Sequence, residues 1–158
     1  MFSNEISSAV FSADEKYRYV LRRSWAETGD TIGFICLNPS TADATVNDQT
    51  VRKCISFAQR WGGARLVIGN LFAYRSTDPS NLYKVEDPVG PDNDSWLRKI
   101  ADECDILVAA WGVHGKFLSR DKRVKDDFGI MLKTLKLTKD GHPSHPLYLP
   151  SGLEPKDF

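Results

Sequence analysis

Three short apolar runs, each cut off by a polar or turn-forming residue, constrain this chain more than any other feature of it. Residues 31–37 stop at Asn38-Pro39, residues 65–71 enclose Asn70 at their end, and residues 106–111 stop at Gly112. Runs this short and this continuously apolar suit strands buried on both faces, as in a parallel sheet. Segments of helical period separate them. Val51, Cys54, Ile55, Ala58 and Trp61 share one stripe over residues 48–61, which Gly62-Gly63 ends. Pro91-Asp92 opens a second helix with Trp96, Leu97, Ile100, Ala101 and Cys104 on one face. A third carries Val124, Phe128, Met131 and Leu135 at helical spacing, with the charged residues 120–125 read as its solvated face. Residues 6–12 and 17–25 read as a hairpin, and a last strand is expected near residues 134–138. Strands alternating with helices require right-handed crossovers. They predict an α/β fold: a three-layer α/β/α arrangement around a mostly parallel four-stranded sheet, with the N-terminal β-hairpin added.

Composition narrows the class. At 158 residues the chain is expected to form a single domain over 1–158. Hydrophobic residues at 41% and charged residues at 27% argue against a disordered, fibrous or disulfide-stapled protein. No apolar run approaches the roughly 20 residues of a membrane span, so no membrane partner is expected. Met1 to Val10 carries Glu5 and lacks the basic start and apolar stretch of a signal peptide. Cys36, Cys54 and Cys104 each sit in an apolar segment and read as reduced thiols of a cytoplasmic protein. Lys+Arg and Asp+Glu number 21 each. Zero net charge excludes holding nucleic acid by bulk charge alone, but not by a local basic patch.

In an open parallel sheet, ligands bind beyond the carboxyl ends of the strands. Those ends are Asn38-Pro39-Ser40, Asn70, Trp111-Gly112 and His142-Pro143-Ser144-His145. Two amides and two histidines are thereby expected at one edge. Each has a bland reading. Asn38 before Pro39 serves equally as a turn residue, and His142 and His145 as exposed loop histidines. Asn70 is harder to dismiss, because an amide inside an apolar strand needs partners or a ligand. Asp43, Asp48, Asp78, Asp87 and Asp92 are carboxylate candidates for acid–base work, but all five fall in loops or at helix starts, where Asp is common as a cap. His114 with the other histidines lacks metal-ligand spacing, so no metal site is expected. Neither a nucleophile elbow nor a glycine-rich phosphate loop is present, and no cofactor is expected.

The set of strand ends resembles the uracil-DNA glycosylase superfamily. The motifs are Leu37-Asn38-Pro39-Ser40, Ile68-Gly69-Asn70-Leu71, Trp111-Gly112 and His142-Pro143-Ser144. Over nearly the whole chain, a closer resemblance is to a family of bacterial and phage proteins catalogued only as a domain of unknown function. It rests on residues 37–43, 70–75 and 142–150. The first resemblance implies that a base is cut from its sugar in DNA. Asn70 would read the base edge, since an amide offers one acceptor and two donors. His142 would stabilise charge on the departing base. Asn38 would orient water, a weaker aid than a carboxylate. Pro39 and Phe72 would flank the base, with Tyr74 as the other aromatic beside Asn70. Ser40, Thr41, Ser144 and His145 would meet phosphate, and Arg52, Arg75 and Lys139 would supply a local basic patch. The superfamily's stacking aromatic has no counterpart after Pro39, and His145-Pro146-Leu147-Tyr148 stands where its wedge usually lies.

Three readings follow. The first is a glycosylase-like hydrolase acting on a deaminated, damaged or modified base in DNA, working as a monomer. The second is a hydrolase or transferase acting on free nucleosides or nucleotides. The third is a nucleic-acid or nucleotide-binding module without catalysis.

Overall fold

A computed structural model of the protein describes residues 6–158, so the start of the stretch read against a signal peptide, Met1 to Glu5, lies outside the described residues. The fold is α/β. Its strands are β1 (Ile6–Phe11), β2 (Arg18–Ser24), β3 (Asp30–Cys36), β4 (Gly63–Asn70), β5 (Ile106–Ala109), β6 (Leu132–Thr134) and β7 (Lys156–Asp157). Its helices are α1 (Gln49–Arg60), α2 (Asn93–Glu103) and α3 (Arg120–Phe128). All seven strands join one sheet in the order β1-β2-β4-β3-β5-β6-β7. Strands β4, β3, β5 and β6 run parallel. The pairs β1–β2, β2–β4 and β6–β7 are antiparallel.

The expected sheet of four strands is therefore corrected to a mixed sheet of seven. The hairpin continues the sheet, because Leu21 to Ser24 pair with Ile68 to Arg65. β7 escapes sequence reading because it is only Lys156-Asp157, a charged pair on an edge, with Asp157 bonded to Lys133 of β6. β6 lies slightly before the expected residues 134–138.

Each face of the sheet carries its own core. On one, Val51, Cys54, Phe57 and Ala58 of α1 meet Ile32, Phe34 and Cys36 of β3 and Leu66 and Ile68 of β4. On the other, Leu97, Ile100 and Ala101 of α2 and Val124 of α3 meet Ile35, Val67, Leu107 and Ala109. Neighbouring residues of β3, β4 and β5 thus point to opposite cores, as a period of two requires. Burying each large aliphatic or aromatic side chain contributes about 1.5–3 kcal/mol relative to leaving it in water. Gly33 lets α2 end close to the sheet: a Cβ there would run into Cys104 Sγ and lie 2.9 Å from Leu107 Cδ1.

Helix ends follow local chemistry. Asp48 caps α1 by accepting from the Val51 amide at 2.9 Å, and Gly62 turns the chain at its end with φ of +78°. The stripe expected to run from Val124 to Leu135 stops early. α3 ends at Phe128, the Met131 amide turns back onto the Phe128 carbonyl, and the chain enters β6. Leu135 joins the α1 core instead. Arg120, read from sequence as solvated, is 5% exposed. Its Nε donates to the Leu71 carbonyl at 3.1 Å, and its Nη2 to Asp94 at 2.8 Å.

Candidate functional site

The parallel strands β3 and β4 end side by side, with Arg18 at the start of β2 and His145 beside that edge. A small hollow of about 40 Å³ lies there, lined among others by Arg18, Asn38, Ser40, Asp48, Asn70 and His145. Such a volume holds roughly one water.

Asn70 is the last residue of β4, and only 1% of it is exposed. Its side chain falls on the α1 face, next to Ile68 and Cys36. Neither Nδ2 nor Oδ1 has a hydrogen-bond partner. Its backbone is braced from the opposite face. The Asn93 Nδ2 at the start of α2 donates to the Asn70 carbonyl at 2.9 Å and to the Leu71 carbonyl at 3.1 Å. Arg120 adds the further bond to the Leu71 carbonyl. The strand end is thus fixed while the amide it carries stays uncommitted.

Asn38 follows β3. Its Nδ2 donates to the Pro39 carbonyl at 3.1 Å and to the Ser76 carbonyl at 2.9 Å. Those two bonds fix which end of the amide is which, and they leave Oδ1 as an acceptor at the hollow. The turn-residue reading and the site reading therefore hold together in one side chain.

Arg18 opens β2. Its amide donates to the Ala73 carbonyl at 3.0 Å, and its side chain, 3% exposed in total, reaches the hollow. Nη1 donates to the Ala42 carbonyl at 2.9 Å, while Nε has no partner. Burial pulls the guanidinium down to about 10, with the Asp48 carboxylate opposing and Arg75 and Arg23 adding to the fall. It stays a cation at neutral pH.

His145 accepts from the Leu147 amide through Nδ1 at 3.3 Å and starts a short 3-10 turn over Pro146–Tyr148. Burial lowers its pKa, and Asp48 partly offsets this. A neutral ring that accepts at Nδ1 carries its proton on Nε2, which makes it a donor. Asp48 meets the same hollow while capping α1.

Asn38, Pro39, Ser40, Asn70 and His145 of the sequence-derived set thus meet in one place. His142 does not. It lines a separate hollow of about 180 Å³ with Trp111, Asp121, Lys122, Lys125 and Phe158. The chain explains the split. Thr138 and His142 bond each other in a tight turn, and Pro143 and Ser144 are pinned by Gly112 and Lys136. Along such an extended stretch, residues three apart face opposite sides. The expected convergence of both histidines on the amides is corrected to His145 alone.

The remaining residues scatter. Phe72 is fully buried in the α2 core, 5.6 Å from the Phe117 ring, and offers no face to the hollow. Tyr74 packs edge-on against Tyr17 at 6.2 Å in a different groove. Thr41, Arg52 and Lys139 are exposed outside the lining, and Arg52 bonds the Asn47 carbonyl. Ser144 is held by its amide. Arg75 lies over the Phe11 ring at 4.7 Å, bonds the Glu15 carbonyl and acts on Arg18 through space. Sequence reading missed Arg18 and weighed Asp48, one of five carboxylate candidates for acid–base work, chiefly as a helix cap. The available signal for Arg18 was a cation set between Tyr17, Tyr19, Val20 and Leu21 in an otherwise apolar stretch.

Among the described residues no group of three or more His, Cys, Asp or Glu side chains is placed to hold a metal ion, and no helix is long and apolar enough to cross a membrane. A family model described as "Protein of unknown function (DUF1643)" matches residues 18–147, a span that begins at Arg18 and includes His145. No curated protein and no solved structure matches the chain.

Proposed function

The chain belongs to the DUF1643 family, and we propose that it is a uracil-DNA-glycosylase-like hydrolase, cutting the N-glycosidic bond of a deaminated, damaged or modified base in DNA. One observation carries the reading. The Asn70 amide is buried with both polar atoms unpaired, in the hollow that Asn38, Asp48 and His145 also line. An acceptor and a donor side by side suit the edge of a pyrimidine.

The other groups supply what the reaction needs. The C1′–N bond breaks with its electron pair going to the base nitrogen, and the oxygen of a water bonds to C1′. Asn38 Oδ1 orients that water. The proton the water loses passes to Asp48 and ends on the released base. His145 Nε2–H donates to the base as negative charge builds; removing one such donor costs about 3–4 kcal/mol in comparable sites. The hollow holds about one water, so a base extruded from its stack enters only when the lining of the hollow opens.

The test is release of a base from labelled oligonucleotides, single- and double-stranded, carrying uracil, hypoxanthine, hydroxymethylated or mismatched bases, read as strand cleavage after alkali. Activity is expected to vanish in Asn70→Ala, to fall about 100-fold or more in His145→Ala, and to survive in His142→Ala. A wild-type protein silent on every substrate overturns the proposal. Zero net charge favours a second reading, hydrolysis of free nucleosides or nucleotides in the same hollow. Salt separates the two, since binding a DNA backbone releases its condensed counterions and gives a steep salt slope, whereas a free nucleoside or nucleotide carries no such counterion atmosphere.

A further inference from the structure

Two buried arginines of this fold are treated differently. Arg120 is matched by Asp94 at 2.8 Å, as a buried cation held for structure normally is. Arg18 is at least as deeply buried and, among the described residues, no carboxylate lies within ion-pair distance of it. One of its nitrogens meets a neutral carbonyl and its Nε meets nothing. The carboxylate acting on it from further off, Asp48, is already bonded to the α1 amide of Val51, and two more guanidiniums, Arg23 and Arg75, act on it with the opposite sign. Asn70 beside it is likewise buried without partners. A guanidinium left unpaired in a buried site is costly until an anion completes it.

We infer that the hollow is completed by an anion: the group it holds between Asn70 and Arg18 is a planar ring bearing negative charge at the edge that meets Arg18, so a deprotonated nucleobase is preferred to a neutral one. The inference rests on reading the hollow as a base site. In the hydrolysis above, the electron pair of the broken C1′–N bond leaves with the base. Arg18 then meets the charged leaving group by hydrogen bonding, and no proton moves from it. Such charge-assisted bonds are about twice as strong as neutral ones and, from Arg, often bidentate.

The test needs only wild-type protein at neutral pH and two small ligands. Uracil is neutral there. Barbiturate has a ring of the same size, one more oxygen and a negative charge. Titration calorimetry is expected to show barbiturate binding about 10-fold or more tightly than uracil, the weight of one hydrogen bond to a charged group. The preference is expected to disappear in Arg18→Gln and to persist, weakened, in Arg18→Lys, each checked for a normal thermal transition. Asn70→Ala is expected to lose both ligands. Equal binding of the two by wild type overturns the inference and leaves the base site standing. Binding of neither removes the base site and the inference together. An Arg18→Gln protein that melts normally and still prefers barbiturate assigns the preference elsewhere and overturns the role of Arg18.

Discussion

Asn70 invites a substitution whose sign is unusual for a buried polar residue. Leucine has nearly the shape of asparagine but asks for no hydrogen bonds. Each buried polar group left unpaired costs about 1–3 kcal/mol, whereas replacing it with an apolar group of the same shape recovers that cost. Asn70 has two such atoms. The hollow of about 40 Å³ has room for roughly one water, so only one of the two atoms is counted as a full unpaired cost. The recoverable part is then one group, about 1–3 kcal/mol. For a domain of this size 1 kcal/mol moves Tm by roughly 2–4 °C, so Asn70→Leu is expected to raise Tm by roughly 2–12 °C. Ligand binding and base release are expected to vanish in the same protein. Differential scanning calorimetry and urea titration on wild type, Asn70→Leu and Asn70→Ala measure this. Alanine is the control, since it removes the polar atoms but opens a cavity. A leucine variant that melts below wild type would show that Asn70 is bonded in the folded protein, and the argument that it waits for a ligand would fail.

Three further substitutions probe the surroundings. Asn93→Leu takes two donated bonds from the Asn70 and Leu71 carbonyls and is expected to cost about 1–3 kcal/mol in urea unfolding, the opposite sign to Asn70→Leu. Gly33→Ala places a methyl against Cys104 Sγ and Leu107 Cδ1. It is expected to cost about 1–3 kcal/mol, with partial recovery in the double variant with Cys104→Ala, since residues in contact do not add independently. His145 has a folded pKa below the ordinary imidazole value of 6.5, because burial disfavours its charge. Below 6.5 the unfolded chain takes up a proton that the folded chain refuses, so stability contributed by the neutral ring is lost as pH falls and levels off below the folded pKa. The expected result is a wild-type stability that falls more steeply than that of His145→Gln between pH 7 and 5. Parallel pH curves for the two proteins count against a buried neutral His145.

The parallel heart of the fold was readable because β3, β4 and β5 are continuous apolar runs with sharp stops, and because α1 carries a clean stripe between Asp48 and Gly62. β7 was not, since two charged edge residues leave no pattern to find. Nor was the end of α3: Met131 and Leu135 keep helical spacing by coincidence, while Gly129 and the turn at Met131 send the chain into β6. In the site, Asn38 and Asn70 were legible because strand ends in a parallel sheet point to one edge. The two histidines were ambiguous for a physical reason. Which of His142 and His145 reaches the hollow depends on backbone bonds from Gly112, Thr138 and Lys136, none of which has a local sequence signature. Phe72 was not legible, because the alternation that would set residue 72 on the face of Asn70 stops with the strand at Asn70, and the next residues enter the α2 core. Arg18 was hidden by its position far from the strand ends in sequence, although β2 lies next to β4 in the sheet.

The hollow draws Arg18, Asn38, Asp48, Asn70 and His145 from segments spread along most of the chain, and this has a kinetic consequence. Contacts between residues distant in sequence carry the loop-closure entropy that slows folding. Strands β3 and β4 with α1 can pair as a nearly local unit, but Arg18 arrives only when β2 docks antiparallel on β4, and His145 only when the chain returns past β6. Synthesis is vectorial, so a growing chain holds six of its seven strands before His145 arrives to complete the hollow. A chain truncated between β6 and His145 is then expected to keep much of its secondary structure and to lose the proposed base release at least as far as His145→Ala does. Refolding followed at once by far-UV signal and by ligand binding should resolve two phases, with the site maturing last.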